Sequence, residues 1–101
     1  MRMLMLVSLP HDKFNVAVVN GSAAEKMKRI LDDAKPEAAY FAEIDGRRTA
    51  VLVVEVGDAS KIPAFAEPWF LTFGADVHFH PVMTKEGLGK AGLDALGRKW
   101  S

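Results

Sequence analysis

Two apolar runs stand out in this chain, Met3-Leu4-Met5-Leu6-Val7 and Ala50-Val51-Leu52-Val53-Val54. A strand with one face in water alternates apolar and polar residues, so an unbroken apolar run of this length is typical of a strand covered on both faces. The chain has too few helical segments to cover both faces of a sheet. A second subunit is therefore the expected second cover, and the sequence predicts a small, sheet-based homodimer.

The composition indicates an ordinary globular domain and excludes several classes of protein. The 101 residues fit one domain, 1–101, with 13 basic and 13 acidic side chains and a formal net charge of zero. The sequence shows no basic patch of the kind that nucleic-acid binding needs. It has no cysteine, which excludes disulfides and thiolate metal sites. No segment approaches the roughly 20 apolar residues of a membrane helix, and the short apolar start lacks a cleavage site, so we expect a cytoplasmic protein outside the membrane.

Turn and cap signals divide the chain into strands and helices. Asp45-Gly46 is a two-residue hairpin signal, because a type I′ turn needs positive φ at both positions. Asn20-Gly21 breaks the first helical region, and Ser22 with Glu25 has the spacing of a capping box for a second helix. Pro68 should kink or restart the helix around it. The expected strands cover residues 3–9, 39–44, 48–56 and 77–83, and the expected helices cover residues 13–19, 23–34, 62–73 and, weakly, 85–100.

This order of elements predicts an α+β fold of the ferredoxin-like type, βαββαβ, with an extra C-terminal helix. In that topology the first and third strands are central, and these are the two apolar runs. The second and fourth strands are edges, which suits Pro81 in the fourth. Right-handed crossovers place both helices on one face of the sheet. The other face then needs a partner subunit.

Several short segments resemble the dimeric α/β-barrel superfamily, and in particular a small, uncharacterised bacterial branch of it. The segments are Asp45-Gly46-Arg47-Arg48, Val53-Val54-Glu55-Val56, Glu67-Pro68-Trp69-Phe70, Ala75-Asp76-Val77 and Pro81-Val82-Met83. The resemblance implies a homodimer whose two sheets face each other across a barrel-like interior. Relatives in the superfamily include cofactor-free monooxygenases, muconolactone-isomerase-like enzymes and haem-degrading proteins. No catalytic motif of those enzymes can be placed on this chain.

Three residues are candidates for proton chemistry. His78 and His80 share one face of the fourth strand. In this arrangement they can hold a divalent metal or act as acid and base. The alternative is that they form only a polar edge of the sheet near the dimer contact. Glu55 is the single charge closing the apolar third strand. If it is buried, it is a candidate general acid. If it lies at the strand end, it reaches solvent or a basic residue such as Lys61. The pairing of the strands should place it at the opposite end of the sheet from His78.

Aromatic residues supply candidates for ligand binding. Tyr40, Trp69 and Phe73 can line a pocket, although aromatic side chains at helical spacing are more often core residues. The sequence therefore favours a homodimeric protein that binds a small apolar or aromatic molecule, without a metal or cofactor. The alternative is a cofactor-free enzyme of the monooxygenase or isomerase type that uses Glu55 or the pair His78 and His80 for proton transfer.

Overall fold

A computed structural model describes all residues from Met1 to Ser101. Four strands and five helices follow one another along the chain, with a single 3-10 turn before the third helix. The elements are β1 (Arg2–Ser8), α1 (His11–Val19), α2 (Ala23–Ala34), β2 (Ala38–Ile44), β3 (Arg47–Glu55), α3 (Ile62–Phe73), β4 (Asp76–Pro81), α4 (Lys85–Gly89) and α5 (Leu93–Lys99).

The four strands form one antiparallel sheet in the order β2-β3-β1-β4. This order and the βαββαβ sequence of elements make the fold ferredoxin-like, as predicted. The two apolar runs occupy the two central strands, and β2 and β4 are edges. The sheet is open within one chain and does not close into a barrel.

The hydrophobic core lies between the sheet and the first three helices. Alternate residues of the central strands point into it, and Met5, Leu52 and Val54 are essentially inaccessible to solvent. Trp69 and Phe73 of α3 pack against them from the helix side. The residues in between on both strands point to the other face and are half-buried in the single chain. The unbroken apolar pattern therefore reflects one face buried by helices and a second face that the chain alone leaves partly open.

The hairpin between β2 and β3 has the conformation that the sequence predicts. Asp45 has φ of 55° and Gly46 has φ of 77°, so both central residues are left-handed. Glycine adopts this conformation without strain and aspartate tolerates it, which is why this pair favours a type I′ turn.

The crossover between β1 and β2 consists of two helices, as predicted, but the prediction of a capping box at Ser22 is wrong. Ser22 has a helical conformation, and its hydroxyl makes no hydrogen bond. The reason is that α1 ends in a Schellman motif. The Ser22 N–H donates to the Ala17 carbonyl, and the N–H of Gly21, which has positive φ, donates to the Val18 carbonyl. The hydrogen bonds at the end of α1 therefore hold the backbone of Ser22 in a helical conformation, and its side chain does not form the hydrogen bond of a capping box.

The helix does not restart at Pro68, since α3 runs without interruption from Ile62 to Phe73; a kink at Pro68, the other alternative, stays a prediction. Pro68 lacks the N–H that would donate to the carbonyl of Ala64. Ala64 is exposed, so water can hydrate that carbonyl. Burial of Trp69 and Phe73 on the same helix offsets the missing hydrogen bond.

The chain after β4 differs from the single weak helix that the sequence predicts. It forms two short helices, α4 and α5, separated by Gly92 with φ of 73°. Thr84 caps α4 by accepting a hydrogen bond from the Gly87 N–H at 3.0 Å. Every residue of this segment is exposed except Gly87, which is half-buried. None of the helices has the length and hydrophobicity needed to cross a membrane.

Candidate functional site

The face of the sheet opposite the helices, called the open face, carries every residue that the sequence marks as a candidate for proton chemistry. Its centre is aliphatic. Leu4 and Leu6 of β1 lie beside Val53 and Val51 of β3. Tyr40 continues this row onto β2, opposite Val51, and its side chain is 68% exposed. These five residues form an apolar strip across the centre of the open face, and no element of the same chain covers this strip.

A hollow of about 410 Å³ lies at one end of the open face, near the hairpin that joins β2 and β3. Its apolar lining residues are Leu6 and Ile44, and polar side chains from β1, β3, β4 and the hairpin surround them. The lining residues are Leu6, Ser8, Ile44, Asp45, Arg47, Thr49, Asp76 and His78.

Strand register explains why these polar residues meet. Ser8 at the end of β1 is level with Thr49 of β3 on one side and with Asp76 of β4 on the other. Residues that are level across antiparallel strands point to the same face, so the three side chains form one polar row. The next row toward the centre contains Leu6 and His78, and this row joins the polar end to the apolar strip.

The two histidines differ in their relation to the hollow. His78 lines it, level with Leu6, whereas His80 is one row further along β4, level with Leu4. Both side chains are exposed on the open face of an edge strand. The rings therefore share a face as the sequence predicts, and only His78 borders the concave surface. Their assignment as catalytic residues remains a prediction.

Glu55 lies at the other end of the open face. It is level with Arg2, two rows along the open face from His78, toward the other end of the sheet as the expected pairing requires. Its carboxylate is 69% exposed and pairs with the amino terminus at 2.5 Å, so the burial that would favour a general acid is absent. Arg2 pairs with Glu37 at 2.6 Å, and this hydrogen bond and the charge of Glu37 raise the pKa of the guanidinium. Glu55 belongs to a charged end of the sheet and not to the hollow.

The three aromatic residues expected to bind a ligand do not form one site. Trp69 is completely buried, with its ring centroid 6.2 Å from that of Phe73. Phe73 in turn lies 5.1 Å from Phe14 of α1. These rings belong to the core between the helices and the sheet, while Tyr40 lies on the open face. Of the three, Tyr40 alone is placed where a molecule bound to the open face can touch it.

Sequence reasoning missed most of the polar residues of the hollow. Ser8, Thr49 and Arg47 look like ordinary residues at strand ends, and they come together only through the register. Asp76 carried a usable signal, because Asp76, His78 and His80 alternate along β4 and therefore share a face. No group of three or more histidine, aspartate or glutamate side chains is close enough together to hold a metal ion.

No protein-family model matches the sequence, and a search of curated proteins finds no match. Among solved structures, the chain is similar to a de novo designed protein named Ferredog-Diesel, with 12% sequence identity and a TM-score of 0.43. The match covers 79% of this chain and 83% of the designed one.

Proposed function

We propose that the protein is a homodimer of the dimeric α/β-barrel type, in which two open faces meet and enclose sites for a small aromatic molecule. The observation that carries this proposal is the apolar strip of the open face, which leads directly into the hollow bordered by His78. Membership of that superfamily and of its bacterial branch, and a cytoplasmic location, are parts of the same proposal.

The need for a second cover follows from the apolar strip. Leu4, Leu6, Val51 and Val53 are half-buried within one chain, although they lie at the centre of the sheet. Contiguous apolar patches larger than a few hundred Å² are rare on monomers and commonly mark interaction surfaces. Two sheets packed face to face bury such strips against each other at a separation of about 10 Å. A second copy supplies a matching strip, because a twofold interface is self-complementary.

The chemistry of the hollow favours an aromatic ligand with a hydroxyl group. The volume of about 410 Å³ lies within the range of small-molecule sites. Leu6 and Ile44 offer apolar contact to a flat ring. At the rim, the carboxylate of Asp76 accepts hydrogen bonds, and Arg47 and His78 can donate them. A hydroxyl group both donates and accepts, so it can use both kinds of partner at once.

The dimer is tested by sedimentation equilibrium of the purified chain at micromolar concentration. We expect the mass of two chains. A monomer over the whole concentration range would contradict the proposal, because the open face would then lack its cover.

The ligand site is tested with 2-naphthol as the probe, followed by amide NMR spectra of the full chain. We expect the largest shifts at the N–H groups of Ser8, Arg47 and His78. Replacing Asp76 by alanine should weaken binding at least about 10-fold, since a hydrogen bond to a charged group contributes about 1.5–3 kcal/mol. Asp12→Ala, on an exposed part of α1, is the matched control. Shifts outside the hollow, or equal weakening in both variants, would reject the site.

The position of His78 also favours a second candidate, an isomerase-type enzyme without a cofactor. A neutral imidazole can take a proton from the carbon beside a lactone carbonyl and return one at the far end of the shifted double bond. Glu55 is too far from the hollow to share this role, whereas His78 borders it. Deuterium uptake by α-angelica lactone in D₂O, followed by proton NMR, tests the reaction. Uptake no faster with the protein than with His78→Ala would exclude it.

A further inference from the structure

The edge strand β2 lacks the usual protection against pairing with another chain. All of its residues after the first are exposed, including the large apolar side chains of Tyr40, Phe41 and Ile44. It contains no proline and no lysine, and Glu43 is its single charge. Edge strands usually carry proline, lysine or a bulge, because their unpaired N–H and C=O groups are a template for a further strand. The other edge strand, β4, ends in Pro81.

The register of the sheet shows which backbone groups of β2 face outward. The Leu9 N–H donates to the Arg48 carbonyl, so the even-numbered residues of β3 direct their backbone groups to β1. This direction alternates along an antiparallel strand, and the odd-numbered residues of β3 therefore bond to β2. Their partners there are Ala38, Tyr40, Ala42 and Ile44. The N–H and C=O groups of Ala39, Phe41 and Glu43 then point away from the sheet.

These three residues are spaced so that two copies of β2 can pair with each other. In an antiparallel pair centred on Phe41, called the central register, each Phe41 exchanges two hydrogen bonds with its counterpart. Ala39 of each strand exchanges two with Glu43 of the other. All outward-facing N–H and C=O groups of both strands are then bonded. The twofold axis is perpendicular to the sheet and passes between the two Phe41 residues.

A shift of this register toward the start of the strand loses hydrogen bonds. A pair centred on Tyr40 places Glu43 of one copy opposite Glu37 of the other. The Glu37 N–H already donates to the Val53 carbonyl inside its own sheet, at 2.9 Å. Glu43 would therefore lack a backbone partner, and two carboxylates would stand opposite each other.

A shift toward the hairpin loses hydrogen bonds as well. A pair centred on Ala42 places Ala39 of one copy opposite Asp45 of the other. Asp45 has φ of 55° and belongs to the turn, beyond the end of β2 at Ile44. The outward-facing groups of Ala39 would then have no strand to bond to. The central register is thus the one that uses the whole edge.

Charge does not oppose the central register. Glu43 stands opposite Ala39, so no like charges meet within the strand pair. Glu37 precedes the strand, and Arg2 of β1 holds its carboxylate at 2.6 Å. Since β1 lies two strands in from this edge, the salt bridge draws the carboxylate of Glu37 away from the seam.

The exposed aromatic side chain of the edge gains a partner in this arrangement. Phe41 is level with the buried Ala50 and therefore lies on the helix side of the sheet. In the central register the two Phe41 rings stand opposite each other, and aromatic pairs across neighbouring strands are stabilising. Met27 and Leu31 of α2 border the same groove as Phe41 and extend the apolar contact.

We infer that the β2 edges of two copies pair about Phe41 and join two four-stranded sheets into one continuous sheet. This contact does not depend on the proposed face-to-face dimer, because it uses an edge and leaves both open faces uncovered on the same side. Two strands of seven residues make a small interface, so the pairing belongs to concentrations of about 300 µM and not to the micromolar range.

Disulfide formation between two copies of Phe41→Cys tests the pairing, because the sequence has no cysteine. In the central register the two Cα atoms are about 5.5 Å apart, which a disulfide spans. Val16→Cys is the control, since Val16 is similarly exposed but lies on α1. With oxidised glutathione and about 300 µM protein, Phe41→Cys should link at least about 10-fold faster than the control. Equal rates would overturn the inference.

The register is tested by adding Ala39→Lys or Ala39→Glu to Phe41→Cys. In the central register this position faces Glu43 of the other copy, so lysine should speed the link and glutamate should slow it. The two rates should differ at least about 3-fold. Val16→Lys and Val16→Glu in the same background control for net charge and should give equal rates. Equal rates for the two Ala39 variants would overturn the register and the inference with it.

Sedimentation of Val53→Asp separates the edge contact from the proposed dimer, because that charge lies on the open face. At about 300 µM this variant should have the mass of two chains, held by the edge alone. Adding Ala39→Pro removes an outward-facing N–H without touching the bonds to β3, and should return the mass to one chain. A single-chain mass for Val53→Asp alone would overturn the edge pairing, whatever the wild type shows at micromolar concentration.

Discussion

Val53 and Val54 are neighbours on β3 that point to opposite faces of the sheet, and a charge at each should have a different result. Val54 is 1% exposed and lies in the core under the helices. Val53 is half-buried on the open face, level with Leu4. We expect Val54→Asp to prevent folding. We expect Val53→Asp to leave the chain folded and to break the proposed dimer.

The magnitudes differ because the two environments differ. At Val54 the substitution loses about 1.5–3 kcal/mol of apolar burial and places a carboxylate where desolvation costs several kcal/mol. A domain of this size is stable by about 5–15 kcal/mol, so most of its stability is lost. At Val53 the isolated subunit loses about 1 kcal/mol, as is common for a partly exposed site. The dimer contains the substitution twice in its interface, so a loss of about 4 kcal/mol or more raises the dissociation constant about 1000-fold.

Two measurements separate these effects. Urea unfolding followed by circular dichroism reports folding, and sedimentation equilibrium over a range of concentrations reports assembly. Val53→Ala is the control, because it shortens the side chain without adding a charge and should weaken the dimer much less. If Val53→Asp sediments as the wild type does, the open face is not the dimer interface. If it unfolds as Val54→Asp does, the face is part of the subunit core and the reasoning about two unequal faces fails.

Three other outcomes follow from single sites. Trp69→Ala should cost about 3–5 kcal/mol of unfolding free energy. Trp69→Phe should cost about 1 kcal/mol or less, because it also removes the buried indole N–H that has no hydrogen-bond partner. Equal losses for the two variants in urea unfolding would show that this N–H is satisfied. The Ser60 hydroxyl, and to a smaller extent the Ser60 N–H, donate hydrogen bonds to Asp58 and hold the pKa of its carboxyl below the ordinary range. The stabilising effect of these hydrogen bonds is therefore present at neutral pH and disappears as the pH falls through that lowered pKa. In carboxyl NMR titrations Ser60→Ala should raise the pKa of Asp58, and an unchanged pKa would contradict this. Calorimetry should show weak or no zinc binding, since the imidazoles of His78 and His80 fill only half of a tetrahedral site. Stoichiometric, submicromolar zinc binding that is lost in both His78→Ala and His80→Ala would disprove that expectation.

Local signals in the chain were sufficient for most of the architecture. The hairpin at Asp45-Gly46, the broken crossover at Asn20-Gly21 and the two central apolar strands depend on backbone preferences and on period-two burial, which short segments carry by themselves. Two of the local predictions that were wrong, the capping box at Ser22 and a restart of the helix at Pro68, concern backbone groups whose hydrogen-bond partner lies in the preceding helix or whose missing hydrogen bond is offset by packing. Local preference alone does not contain those contributions.

By itself, then, the sequence determined the order of the strands, the face that the helices cover and the sharing of one face by His78 and His80. Only the tertiary structure decided which residues stand at the same height on neighbouring strands. That register gathers Ser8, Thr49 and Asp76 around the hollow. The physical reason is that the face to which a side chain points follows from the period of two residues within its own strand. The position of that side chain beside a neighbouring strand follows from hydrogen bonds between strands that are far apart in the sequence.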